Sequence, residues 1–269
     1  MGDVLRVSLI QTDIVWEDKR ANLGKYAAIL SHITEDCDLV VFPEMFTTGF
    51  SMRAEDLAEC IDGETITEVK KWSRNYNVAI AGSFIARAGN VCFNRGFFIE
   101  PDGSEHYYDK RHLFRMGEEG RHFVSGTEKL VVNYRGWNIC LLVCYVIQAK
   151  VCYDLRFPVW CRNVGNEYDL LLFVANWPQS RSYAWRNLLI ARAIENAAYV
   201  CGVNRIGQDE TSMVYRGDTM AIGVKGEVIA ESEPFVPQIV NVELDLSKLK
   251  SFREKFPVWK DADEFVLKK

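Results

Sequence analysis

Two stretches of this chain are apolar at nearly every position over the length of a strand: DLVVFPE (38–44) and DLLLFVAN (169–176). A half-exposed strand alternates apolar and polar residues, so an unbroken apolar run marks a strand covered on both faces. Strands of that kind belong to layered α/β folds. The segments around them fit. VLRVSLIQ (4–11) alternates like a half-buried strand, and the next stretch puts Leu23, Tyr26, Ala27, Leu30 and Ile33 on one helical face. ITEVKKWSRNYN (66–77) reads as helix and VAIAGSF (78–84) as strand.

Two hairpins come next, with turns at Asp102-Gly103 and Arg135-Gly136: VCFNRGFFIE with EHYYDK, then KLVVNY with WNICLLVC. YAWRNLLIARAIENAAY (183–199) is the strongest helix, and the last third reads as strands at VCGVNRI, TMAIGV, EVIAES and QIVNVELDL. No linker or long-period repeat interrupts the series, so one α/β domain over 1–269 is expected. The excess of strands over helices suggests two stacked sheets with helices outside.

Several function classes are disfavoured. The net charge is −5 with Lys and Arg scattered, which offers nucleic acid no basic face. There is no apolar run of the roughly 18 residues a membrane span needs. The N-terminus MGDVLRVSLIQTDIVW does not resemble a signal peptide, so a cytoplasmic protein is expected. None of the 8 cysteines stands in C-x-x-C spacing and the 4 histidines are dispersed, so no metal site is expected. At least six of the cysteines read as buried reduced thiols.

Three segments place a reactive side chain just after an apolar strand. Glu44 follows Pro43 in VVFPEMF, Lys110 ends the strand in YYDKRHLF, and a cysteine ends the run LLVCYVIQAKVCYDLRFP (141–158). Ligands of α/β sheets bind where strand carboxyl ends converge. A Glu, a Lys and a Cys meeting there form a self-consistent set. The carboxylate accepts the thiol proton, the ammonium lowers the thiol pKa and donates to an oxyanion, and the sulfur forms an acyl intermediate. Each residue type is more often a surface charge or a core thiol, so the spacing alone leaves convergence open.

The wording of these segments carries more. FPEMF, YYDKRHLF and CYDLRFPVW resemble the nitrilase superfamily of carbon–nitrogen hydrolases, as do ANWP (175–178), ARAIENAAYVCGVNRIG (191–207) and REKFPVWKDADEF (253–265). The tail and DKRHLFRM look like the omega-amidase branch. The resemblance implies a four-layer αββα sandwich, a homodimer and no cofactor. It implies Glu44 as general base, Lys110 as the oxyanion cation with the backbone N–H after the nucleophile beside it, and a second glutamate holding the lysine and the substrate. Glu119 fits that last role best, with Glu118 its rival. The implied substrate is a small amide, the monoamide of a short 2-oxo dicarboxylic acid such as 2-oxoglutaramate or 2-oxosuccinamate.

The chain departs from the family pattern once. Val143-Cys144-Tyr145 recurs as Val151-Cys152-Tyr153, which amounts to eight extra residues beside the nucleophile. Counted from the upstream strand, Cys144 holds the nucleophile position; counted from downstream, Cys152 does. The residues after the cysteine set the elbow, and Cys152 keeps Tyr153, Asp154 and Arg156 behind it, with Asp154 suited to a helix start. Tyr-Val-Ile after Cys144 is more apt to continue a strand. The catalytic set is therefore expected to be Glu44, Lys110, Cys152 and Glu119.

A substrate with a carboxylate at one end calls for a further cation. Arg115 is the candidate, with Arg181 and Arg205 better suited to ion pairs or surface. Tyr153, Asn176, Trp177, Phe46 and Phe114 are candidate pocket walls, although large aromatics more often pack in a core. Other readings stay open: a hydrolase of another amide or a nitrile, a homologue impaired by the 145–152 insertion, and a Cys–His thiol protease using His112.

Overall fold

Leu39, Val40 and Val41 are all fully buried, yet they leave their strand on opposite faces. Leu39 and Val41 join the larger hydrophobic cluster, whereas Val40 packs with Leu23, Tyr26, Ile66 and Trp72. This strand is thus covered by a sheet on one side and helices on the other, as its unbroken apolar run requires. The computed structural model describes residues 3–34, 36–113, 118–145 and 154–267, with Tyr145 described by its backbone.

The first sheet contains β1 (Val4–Gln11), β2 (Leu39–Val41), β3 (Ala79–Ala88), β4 (Val91–Ile99) and β5 (Glu105–Asp109), and β14 (Gln238–Asp245) flanks β1. The second contains β6 (Leu130–Tyr134), β7 (Trp137–Tyr145), β8 (Leu170–Asn176), β9 (Tyr199–Asn204), β12 (Met220–Ile222) and β13 (Val228–Glu231), in the order β13-β12-β9-β8-β7-β6. A small hairpin, β10 (Ile206–Gln208) with β11 (Val214–Arg216), stands apart. β1, β2 and β3 run parallel, as do β7, β8 and β9, and the outer strands of each sheet are antiparallel.

The helices are α1 (Lys19–Leu30), α2 (Ala54–Leu57), α3 (Glu64–Tyr76), α4 (Glu119–His122), α5 (Pro158–Cys161), α6 (Ser182–Asn196) and α7 (Leu246–Lys255). α1 and α3 bury Leu23, Tyr26, Ile66, Val69 and Trp72 on the outer face of the first sheet. α6 lays Trp185, Leu189 and Ala193 over the second. The order of layers is helix, sheet, sheet, helix, the mixed α/β architecture expected of the sequence. The run at 38–44 yields a shorter strand than its length suggests. After Val41 the chain turns away through Pro43, which cannot donate to a ladder.

Two glycines mark where layers come closest. A side chain at Gly96 of β4 would meet Leu141 and Val143 of β7 across the sandwich, at 3.2 and 3.3 Å. At Gly202 of β9, a Cβ would lie 2.5 Å from Leu189 and 2.7 Å from Trp185 of α6. Overpacking of that kind typically costs about 1–3 kcal/mol. Gly202→Ala should therefore lower the unfolding free energy in urea by about that amount. Because the clash is with Leu189, Leu189→Ala in the same chain should cost less than it does alone, and additive costs would contradict this packing.

Candidate active site

Four strands from both sheets deliver the polar residues that meet at one end of the sandwich. Glu44 follows β2, Lys110 follows β5, Asn94 lies on β4 and Asn176 closes β8. All four are fully buried, and so is Glu119, the first residue of α4. The Lys110 Nζ lies 2.7 Å from Glu119 Oε1 and 3.7 Å from Glu44 Oε1. Its other flank faces the Phe50 ring, whose centroid is 5.3 Å away.

Glu44 is gripped on every side. Asn94 Nδ2 donates to its Oε1 at 2.5 Å, the Asn176 backbone N–H donates to its Oε2 at 2.9 Å, and Asn176 Nδ2 donates to its carbonyl at 2.7 Å. The turn that aims it is tight. Met45 adopts a φ of +45°, sparsely populated for a non-glycine residue, and is held there by a hydrogen bond from its N–H to Ser83 Oγ at 2.8 Å.

One ammonium shares this buried interior with two carboxylates, and the burial shows in the titration. Burial pushes the Glu44 carboxyl up to about 8, against the downward pull of Lys110 and with a further upward push from Glu119. Burial alone lowers the Lys110 ammonium, but Glu119 and Glu44 more than offset it, and its pKa lies above the ordinary lysine value. The pair is thus a cation that stays charged beside a carboxyl poised to exchange a proton near neutral pH, the property a general base needs.

The structure sorts the remaining expectations. Glu118 is exposed and pairs with Arg121, so it is Glu119 that touches the lysine. Asn176 holds Glu44: its Nδ2 donates to the Glu44 carbonyl at 2.7 Å and lies 3.4 Å from Glu44 Oε2. Trp177 is core, 1% exposed, packed at 4.9 Å on Trp185, with its indole N–H bonded to the Arg181 carbonyl. Phe46 is likewise core, between Tyr26 and Phe97. Arg205 is fully buried and directs its guanidinium to Asp13 and the Ile14 carbonyl. Phe114, Arg115, Cys152 and Tyr153 lie outside the described residues.

Cys144 is described. It lies in β7 in regular register opposite Ala175. Val143 faces β4, so by alternation the Cys144 side chain leaves the sheet on the other face. There its Sγ accepts the Leu155 N–H at 3.2 Å. Asp154 opens the 3-10 turn Asp154–Arg156, but its carboxylate does not cap that turn. It accepts from Tyr108 Oη at 2.6 Å, from the His112 ring Nδ1 at 2.7 Å and from the Val143 N–H at 3.4 Å. His112 is thereby committed to Asp154 and to stacking on Phe157, with ring centroids 3.8 Å apart.

Sequence reasoning missed Asn94 and Phe50. Asn94 had a visible signal, a polar residue amid the apolar strand VCFNRGFF, while nothing local marks Phe50. Among the described residues, no group of three or more His, Cys, Asp or Glu side chains is placed to hold a metal ion. Cys37, Cys92, Cys140, Cys144, Cys161 and Cys201 are buried free thiols, and burial pushes those of Cys161 and Cys201 up to about 12.

Known proteins resemble this chain over nearly its whole length. The family model for carbon-nitrogen hydrolases matches residues 6–254. The omega-amidase YafV of Escherichia coli is 45% identical over 263 residues, 98% of either chain, and the 2-oxoglutaramate amidase of Bacillus subtilis is 30% identical over 95% of this chain and 96% of its own. The crystal structure of XC1258 from Xanthomonas campestris, a CN-hydrolase superfamily protein, superposes with a TM-score of 0.93 at 42% identity, covering 98% of this chain and 99% of that one. With its two-sheet core and its buried Glu–Lys–Glu cluster, this chain belongs to the carbon-nitrogen hydrolase family.

Proposed function

We propose that the chain, as one domain over 1–269, is an omega-amidase that hydrolyses the terminal amide of short 2-oxo dicarboxylic acid monoamides, such as 2-oxoglutaramate and 2-oxosuccinamate. The observation that carries this reading is the fully buried Lys110 between Glu44 and Glu119, in a chain 45% identical to an omega-amidase. Glu44 takes the proton of the nucleophilic thiol, and the sulfur attacks the amide carbonyl. Lys110 and the backbone N–H after the nucleophile stabilise the oxyanion, and removal of one such donor typically costs about 2.7–4 kcal/mol. The proton on Glu44 passes to the departing nitrogen, ammonia leaves, and a thioester remains. Water, deprotonated by Glu44, then releases the acid and restores the thiol. Glu119 holds the lysine, and Tyr153 and Arg115 contact substrate.

The nucleophile in this reading is Cys152, because Cys144 lies within β7 and faces away from the interior that Val143 shares with β4. One contact favours Cys144 instead: the Leu155 N–H donated to its sulfur is the kind of donor that stabilises a thiolate. The protein acts as a homodimer in the cytoplasm. Exposed Val159 on α5 and Tyr183 and Ile194 on α6 support the first statement, and the buried reduced thiols support the second.

Ammonia release from 2-oxoglutaramate tests the function, and paired variants test the nucleophile. Cys152→Ala should abolish turnover and rapid iodoacetamide labelling, while Cys144→Ala retains both. The opposite result assigns the thiol to Cys144, and no release by a folded wild-type protein rejects the amidase.

A second test comes from the Glu44 carboxyl near 8. Below that pH it is protonated and cannot accept a proton, so kcat/KM should fall about tenfold per pH unit on the acid side, with a midpoint about 8. Asn94→Leu removes a hydrogen bond that favours the ionised form, so the midpoint should move to higher pH. A rate profile already flat from pH 6 upward would show that Glu44 is not the titrating base.

A further inference from the structure

A cavity of about 790 Å³ opens beside the cluster, lined by Arg111, His112, Gly120, Phe123, Ser125 and Phe157 among others. Its lining adjoins the catalytic residues along the chain and through one ring contact. Arg111 and His112 directly follow Lys110, Gly120 follows Glu119, and the Phe123 ring lies 6.4 Å from Phe50, which flanks the lysine ammonium.

Arg111 has an unusual charge environment there. The carboxylates of neighbouring segments are already engaged: Glu119 with Lys110, Asp154 with His112, Asp109 with the Nε–Nη2 edge of Arg95, and Glu118 with Arg121. Among the described residues, no carboxylate pairs with Arg111. Its side chain donates one hydrogen bond, from Nη1 to the Gly126 carbonyl at 3.2 Å, and its Cζ lies 5.2 Å from the Trp160 ring centroid. That leaves the Nε–Nη2 edge, the edge suited to bidentate carboxylate binding, without a protein partner among the described residues. Next to it, His112 is fixed through Nδ1 on Asp154 and through its ring on Phe157, so its Nε2 is presented in one orientation.

We infer that Arg111, assisted by His112 Nε2, binds the carboxylate at the far end of the substrate, so that the site selects amides that carry an anion over neutral amides of the same length. This rests on the proposed amidase reading and specifies the substrate class of the same site. A half-buried guanidinium with no counter-ion among the described residues gains one when the anion arrives. Flat apolar walls at Phe123 and Phe157 suit the short chain between the two ends.

Succinamate and butyramide differ in that one end is a carboxylate or a methyl group. The ratio of kcat/KM for succinamate to that for butyramide should fall at least tenfold in Arg111→Met, chiefly through KM for succinamate, and recover in part in Arg111→Lys. A ratio within twofold of wild type overturns the proposal. If wild-type protein releases ammonia from neither amide, titration calorimetry with succinate still reads the subsite. Binding at least tenfold weaker in Arg111→Met than in wild type supports it, and equal or absent binding in both overturns it. Circular dichroism melts of both variants separate these outcomes from misfolding.

Discussion

Holding an ammonium ion out of water is the constraint around which this structure is arranged. Lys110 has no solvent exposure, and the desolvation of a buried charge costs several kcal/mol unless partners replace the lost hydration. Glu119 at 2.7 Å supplies the close partner, and Glu44 at 3.7 Å the more distant one. Burial itself raises the affinity of Glu44 for a proton, Lys110 opposes that rise, and the second carboxylate, Glu119, adds to it. A cation that stays charged and a carboxyl titrating near neutral pH thus both come from enclosing these three groups together out of water, and the hydrogen bonds from Asn94 and Asn176 temper the rise at Glu44.

Such a cluster persists only if the backbone holds it, and the sandwich does so by drawing on both sheets. β2 and β5 bring Glu44 and Lys110 from one sheet, and β8 brings Asn176 from the other to clasp Glu44 across the layer boundary. The strain at Met45 is offset by its hydrogen bond to Ser83 on β3. The glycine at 96, which lets β4 approach β7, sits two residues from Asn94 on the same face of the strand. Sheet spacing and catalytic geometry are therefore set by the same strand.

Much of this was legible in the sequence, for a physical reason. Strands buried on both faces must be apolar throughout, so β2 and β8 announced themselves, and their carboxyl ends marked Glu44 and Asn176. Glu, Lys and Cys after strands suggested a site, but convergence is a tertiary property, and family wording supplied it. The features the sequence hid are hidden for equally physical reasons. Asn176 and Trp177 are adjacent, and nothing local tells that the first points to Glu44 while the second enters the core under α6. Arg205 reads in the sequence as better suited to an ion pair or the surface, and it makes an ion pair, but only the fold names Asp13, 192 residues away, as its partner. Asn94 was visible as a polar residue in an apolar strand, but its partner lies 50 residues away.

The eight additional residues between Cys144 and the elbow pose the remaining physical question, and the contacts on either side of them bear on it. Asp154 is tied to Tyr108 and His112, and the Leu155 carbonyl accepts two hydrogen bonds from Arg192 on α6. Val143 and Cys144 are in turn held by β8. Both flanks are thus anchored by groups that do not belong to the intervening segment, and they touch each other directly through the Leu155 N–H and the Cys144 sulfur. Lengthening a connection between fixed ends costs little, about 0.6 kcal/mol for each doubling. The larger cost would lie in moving the ends, and the Tyr108, His112 and Arg192 bonds oppose that. In the proposed reading, flanks so anchored let the chain carry extra residues beside its nucleophile while Lys110, Glu44 and the turn Asp154–Arg156 keep their places.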